Sequence, residues 1–148
     1  MIDVLPITAA DIDEVVMLVY EFVESRAHHP AGVSPMAVAE YLAAGVGGPG
    51  MIGYKAVRDG KTVGILFGII GPDWMSGKVV AQEQIWYVQE GETAGLPLLR
   101  AFIAEARRRG AAFVVSGYIP QFMGRRIATV LERTGFREVE SWWVKGLE

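Results

Sequence analysis

Apolar residues recur at Ile12, Val15, Val16, Val19, Phe22 and Val23, the spacing of one buried helix face. Thr8, with Asp11 three residues on, marks the start of that helix, and the pattern ends near Arg26. Before it, Ile2 to Ile7 alternates weakly and reads as an edge strand closed by Pro6. Residues 27 to 33 read as a loop. Ser34 as N-cap and Pro35 at the first helical position open a second helix, which Gly45 stops. Gly45, Gly47, Gly48, Pro49 and Gly50 make a flexible connection. Met51 to Val57 and Lys61 to Ile70 are two strands around Asp59-Gly60, a strong hairpin signal. Gly71-Pro72-Asp73 ends the second of them, Trp74 to Lys78 reads as a loop, and Val79 to Val88 is a further strand. Leu98, Leu99, Phe102, Ile103 and Ala106 mark a helix over Ala94 to Arg109, stopped by Gly110. Ala112 to Tyr118 is a strand, Gly124 to Thr134 a helix stopped by Gly135, and Phe136 to Lys145 a closing strand.

This order feeds an antiparallel meander into a strand-helix-strand unit whose crossover helix packs on the sheet. The expected architecture is α/β (α+β): a mixed central sheet of about six or seven strands with helices on both faces. The 148 residues, 51% apolar and 21% charged, fit one folded domain over 1–148. The longest uncharged apolar run, Thr62 to Gly71, is about half of a membrane-spanning helix, so no membrane partner is expected. Acidic Asp3, Asp11, Asp13 and Glu14 stand where a secretory leader would be positive, which points to a cytoplasmic protein. The absence of cysteine excludes disulfides, thiolate zinc sites and a cysteine nucleophile. His28 and His29 are the only histidines, and a histidine-rich metal centre has little support.

The net charge of −3 hides an asymmetry. The segment from Arg100 to Arg137 holds eight arginines against Glu105 and Glu132 and carries +6, leaving −9 elsewhere. Solvated helix faces account for such a run, and so does a local anion site, because arginine presents forked donors to phosphate. The Arg107-Arg108-Arg109 cluster also admits a nucleic-acid surface, although such surfaces usually mix in lysine and exposed aromatics, and nucleic acid is not the expected partner.

Three stretches carry a resemblance. Gln84-Ile85-Trp86-Tyr87-Val88, followed by Glu90-Gly91-Glu92-Thr93-Ala94-Gly95-Leu96, looks like a strand, a pyrophosphate loop and the following helix. Ala111 to Tyr118 is similar to the next strand, and Val130-Leu131-Glu132-Arg133-Thr134-Gly135-Phe136 to the helix that precedes the last strands. Together they resemble the GNAT superfamily of N-acetyltransferases, over nearly the whole chain in element order. The resemblance implies acetyl-CoA as cosubstrate, held by Val88, Gly91, Glu92, Thr93, Ala94, Gly95 and Leu96 with Arg126, and an amine as acceptor. The sequence departs from the family pattern in three places, the first being a connection from Val88 about three residues shorter than usual. Where the family loop has Gln or Arg, then Gly, then Gly or Ala, this chain has Glu90, Thr93 and Gly95, and where many members place an acidic tyrosine it has Leu131.

The physics of the first stretch also favours an anion. A glycine-containing turn entering a helix presents unpaired backbone N–H groups at the positive end of the helix dipole. An ordinary capped helix with Thr93 as N-cap fits the same residues.

Amine acetylation needs a neutral amine, a polarised thioester carbonyl and acceptors for protons. Glu83 is the candidate base: alternation places it with Ala81, Ile85 and Tyr87 on one strand face, where apolar neighbours raise its pKa. An exposed strand carboxylate beside Gln82 and Gln84 is the plainer reading. Tyr118 is the substitute acid, or an amphipathic core tyrosine. His28 and His29 lie in a loop that in the family covers the acceptor, which makes them candidates for substrate binding. One of Trp142 and Trp143 faces outward by alternation, which fits a homodimer surface or a partly covered edge.

Two functions follow. The first is an acetyl-CoA-dependent N-acetyltransferase acting on a primary amine, for which the acidic first helix fits either a cationic acceptor or a solvated face. The alternative is a catalytically degenerate GNAT-fold module that senses CoA or binds a protein.

Overall fold

The structure is a computed structural model, and it describes residues 1–27, 31–117, 124–140 and 145–147. Five strands form one sheet in the order β1-β2-β3-β4-β5: Asp3–Pro6, Met51–Arg58, Lys61–Pro72, Val79–Val88 and Phe113–Val115. The first three pairings are antiparallel and β4–β5 is parallel. Four helices, α1 (Ile12–Phe22), α2 (Pro35–Gly45), α3 (Gly95–Arg108) and α4 (Gly124–Arg133), complete the α+β architecture. The expected six or seven strands reduce to five among the described residues. Of the expected closing strand, 136–140 is irregular and 141–144, with Trp142 and Trp143, lie outside the described residues.

Local chemistry explains the elements. Thr8 and Asp11 form a capping box around a 3₁₀ turn, Ala9–Asp11, that leads into α1. α1 then widens into a π turn over Val23–Ala27. Ser34 caps α2 by accepting the Ala37 N–H, with Pro35 behind it. At the β2–β3 hairpin Asp59 and Gly60 both lie at positive φ, 51° and 76°, as a type I′ turn requires.

The sheet separates two cores. α1 and α2 bury Val15, Val19 and Leu42 against Ile65, Phe67 and Tyr87 on one face. α3 and α4 bury Leu98, Leu99, Phe102 and Leu131 against Ile52, Leu66, Ile70 and Ala81 on the other. Helices therefore cover both faces, as the pattern predicts.

The arginine cluster at the end of α3 is an internal fastening. Glu105 accepts hydrogen bonds from Arg108 at 2.7 and 2.8 Å and from Arg109 at 2.6 Å, and Arg109 also donates to the Met51 carbonyl at 2.9 Å. Two members of the triplet are thus engaged with their own helix and the start of β2. The hydrogen bonds from Arg108 and Arg109 hold the Glu105 carboxyl at about 2, against an ordinary 4.5. A depressed carboxylate stabilises the fold above its unfolded pKa and loses that contribution as pH falls through the folded value. Glu105→Gln should accordingly lower the melting temperature at pH 7, and the difference from the wild type should close between pH 4.5 and 2 in a pH series of thermal melts.

Candidate active site

The site is set by where pairing stops. β5 pairs with β4 only from Val80↔Phe113 to Gln82↔Val115, whereas β4 runs on to Val88. Among the described residues no strand pairs with that edge of β4 beyond Gln82, and the two strands part there.

Glu83 is the first residue past the last pair. Its carboxylate accepts the Ser116 hydroxyl at 2.9 Å and the Gly117 N–H at 3.1 Å, so it bridges the mouth of the opening. The side chain is half-buried. Burial pushes its carboxyl above the usual range, and the hydrogen bonds from Gly117 and Ser116 oppose that shift without cancelling it.

The expected face for Glu83 needs correction. Ala81 packs in the α3/α4 core, while Ile85 and Tyr87 pack on the α1/α2 side, so simple alternation does not hold across this stretch. The cause is a β-bulge: Phe67 pairs with Ile85 and Gly68 with Glu83, which leaves Gln84 as the extra residue. Gln84 instead accepts a hydrogen bond from the Tyr41 hydroxyl of α2. Gly68 makes the bulge feasible, because a Cβ there would stand 2.0 Å from the Gln82 carbonyl oxygen. Glycine inside an otherwise apolar strand was the sequence signal for this close approach.

Past Val88 the chain turns through Gln89-Glu90-Gly91-Glu92, closed by Glu92 N–H to Gln89 O at 3.2 Å. Gly91 occupies the third position at φ 82°, a conformation glycine favours. Glu92, expected at the cofactor, gives its side chain to Arg58 at 2.8 Å and ties the loop to β2. Thr93 is exposed and is not the N-cap: Ala94 takes that place with no side-chain cap, and its own side chain is fully buried. The first helical bond runs from Leu98 N–H to Ala94 O at 3.1 Å, and Pro97 carries no N–H. Gly95 and Leu96 therefore supply the donors of the first turn of α3. The missing Cβ of Gly95 faces the Trp86 indole at 3.6 Å, so glycine there also serves packing against β4.

A second constellation has no local signal in the sequence. Glu21, near the end of α1, accepts the Tyr87 hydroxyl at 2.6 Å and the Gln89 side-chain amide at 3.2 Å, fixing the end of β4 just before the turn. A pocket of about 570 Å³ beside it is lined by Glu14, Glu21, Glu24 and Lys61 with Met17 and Tyr20. It gathers Glu14 and Glu21 of α1 with Glu24 of the π turn. Leu131 is buried in the α3/α4 core and cannot supply an acid. Arg126 is exposed in the first turn of α4. Tyr118, His28 and His29 lie outside the described residues. Among the described residues no group of three acidic or histidine side chains is placed to hold a metal, and no helix is long and apolar enough to cross a membrane.

A parallel strand pair that parts beside a half-buried carboxylate, followed by a glycine turn into a helix N-terminus, is the arrangement expected of an acyl-CoA-dependent transferase fold. Comparison with solved structures agrees. A predicted acetyltransferase from Clostridium acetobutylicum, solved with acetyl-CoA, superposes with a TM-score of 0.79 over 99% of this chain and 97% of its own, at 14% identity. An aminoglycoside N-acetyltransferase in complex with CoA gives 0.75 over 99% and 94%, also at 14% identity. A ribosomal-protein-alanine N-acetyltransferase from Brucella melitensis biovar Abortus 2308 gives 0.72 over 99% of both chains at 18% identity. No family model and no curated protein matches the sequence. The fold of this chain is the GNAT acetyltransferase fold.

Proposed function

We propose that the chain is an acetyl-CoA-dependent N-acetyltransferase that acts on a primary amine. The observation that carries the reading is Glu83, a carboxyl of raised pKa at the point where β4 and β5 part. The residues around it fit the cosubstrate. Val88 at the end of β4 is proposed to offer its main-chain groups to an extended arm, and the amides of Gly95 and Leu96 at the α3 N-terminus suit a pyrophosphate. Gly91 and Ala94 keep the turn small, and Thr93 adds a hydroxyl beside it. Glu92 is neutralised by Arg58 and so does not oppose the phosphates. Arg126 is proposed as a further phosphate contact.

Acetyl-CoA, when bound, supplies an activated thioester carbonyl. Glu83 takes a proton from the incoming ammonium, directly or through a water, and leaves a neutral amine that can attack. Main-chain N–H groups near Val88 polarise the carbonyl oxygen. Tyr118 is proposed as the proton donor to the leaving thiolate, since Leu131 cannot serve, and His28 and His29 are proposed at the acceptor. The exposed Glu14, Glu21 and Glu24 line one pocket beside α1, which fits a cationic acceptor or a solvated face.

Thiol release from acetyl-CoA, followed with a panel of primary amines, tests the reading. At least one amine should accelerate release in proportion to enzyme concentration. No acceleration by any amine, together with saturable acetyl-CoA binding, would favour the sensing module.

A further inference from the structure

The face of the sheet that α1 and α2 cover is bare at one end. The pairing register puts Ile69, Gln82 and Val115 in one cross-strand row, and Gly71, Val80 and Phe113 in a row two residues away. Ile70, Ala81 and Val114 of the row between them belong to the α3/α4 core, so the two flanking rows face the other way. There Ile69 is 42% exposed, Phe113 46% and Val115 37%. Just beyond, the turn between β3 and β4 displays Trp74 at 88% and Met75 at 74%.

The turn is a built one. The Asp73 carboxylate accepts the Ser76 N–H at 2.8 Å and the Ser76 hydroxyl at 2.6 Å. The Gly77 N–H donates to the Asp73 carbonyl at 2.8 Å, and the Asp73 N–H to the Lys78 carbonyl at 2.7 Å. Trp74 and Met75 are thus held out from the sheet on a braced tip.

We infer that a second copy of the chain covers this surface about a two-fold axis, the Trp74 tip of each copy seated on the bare rows of the other. Two observations favour an identical partner. The rows hold no charged side chain, and the charges that flank the tip, Asp73 and Lys78, are of opposite sign, so identical patches meet without the like-charge contact that a two-fold would otherwise impose. A strongly acidic or basic partner finds nothing here to recognise. The exposed parts of Ile69, Trp74, Met75, Phe113 and Val115 sum to on the order of 600 Å², close to the ~800 Å² that each partner contributes to a standard interface.

Sedimentation of the full chain over a concentration series tests this without any ligand. A species of twice 16.1 kDa is expected at higher concentration. Trp74→Ser and, independently, Gln82→Lys should each raise its dissociation constant about thirtyfold or more, as loss of an interface anchor or burial of an unpaired charge in an apolar contact does. Both positions are exposed, so circular dichroism and melting of the monomer should be unchanged. A wild type that stays monomeric at every concentration would overturn the inference. So would a dimer whose dissociation constant neither substitution moves.

Discussion

Glu83→Gln is expected to lower the acetyl-transfer rate by ~100- to 10,000-fold, the usual contribution of a positioned general base. Acetyl-CoA affinity should be nearly unchanged, because the side chain faces Ser116 and Gly117 at the mouth of the opening rather than the phosphate turn. The amide oxygen of glutamine can still accept both hydrogen bonds. The variant should also be at least as stable as the wild type at neutral pH. A carboxyl whose folded pKa is raised favours the fold while protonated, and its contribution becomes unfavourable as pH rises above the unfolded value. Loss of rate with no loss of melting temperature therefore separates a catalytic from a structural role. In the wild type kcat/KM should rise as Glu83 ionises, above the ordinary carboxylate range, and the variant should lack that limb. An unaltered pH–rate profile in the variant would remove Glu83 from the mechanism.

Gly68→Ala is expected to cause the largest loss of stability among single-methyl additions in the sheet. The new Cβ would lie 2.0 Å from the Gln82 carbonyl oxygen, 2.8 Å from its carbon and 2.9 Å from Glu83 Cα, all backbone atoms of the bulged strand. No rotamer can relieve such a contact, so the strands must part. Overpacking of a sheet interior costs ~3 kcal/mol or more in such a case, which corresponds to a fall in melting temperature of about 10 °C for a chain of this size. Because the shift moves Glu83 as well, the residual folded protein should also lose activity. A melting temperature within about 2 °C of the wild type would show that the bulge is not as tight as described.

The same glycine shows how far the sequence could be read. The capping box at Thr8 and Asp11, Ser34 before Pro35 and the Asp59-Gly60 turn are local chemistry, and each lies where the pattern predicts. Strand β4 was bounded correctly at Val79–Val88, yet its faces were not, because period-two reasoning has no term for an extra residue. The signal lay on the neighbouring strand, in Gly68, and only the register between strands converts it into a bulge at Gln84. Thr93 illustrates a different limit: its type suits an N-cap, but the buried side chain of Ala94 draws the helix start one residue later. Tertiary contacts decide such choices. The pairing of Glu21 with Tyr87 and Gln89 spans more than 60 positions, a separation that no local pattern reports.

An acetyl-CoA titration on the wild type and on Thr93→Asp, with melting temperatures on the same samples, tests the central claim that this turn and helix start hold the pyrophosphate. Thr93 is exposed just before the N-terminus of α3. An added carboxylate there interacts favourably with the helix dipole by ~0.3–1 kcal/mol, so the melting temperature should be equal or higher. The same carboxylate repels a bound pyrophosphate. The account predicts one saturable site in the wild type and at least about tenfold weaker binding in the variant, a loss of ~1.4 kcal/mol. Native affinity in a fully folded Thr93→Asp protein, or no acetyl-CoA binding by the wild type, would contradict it.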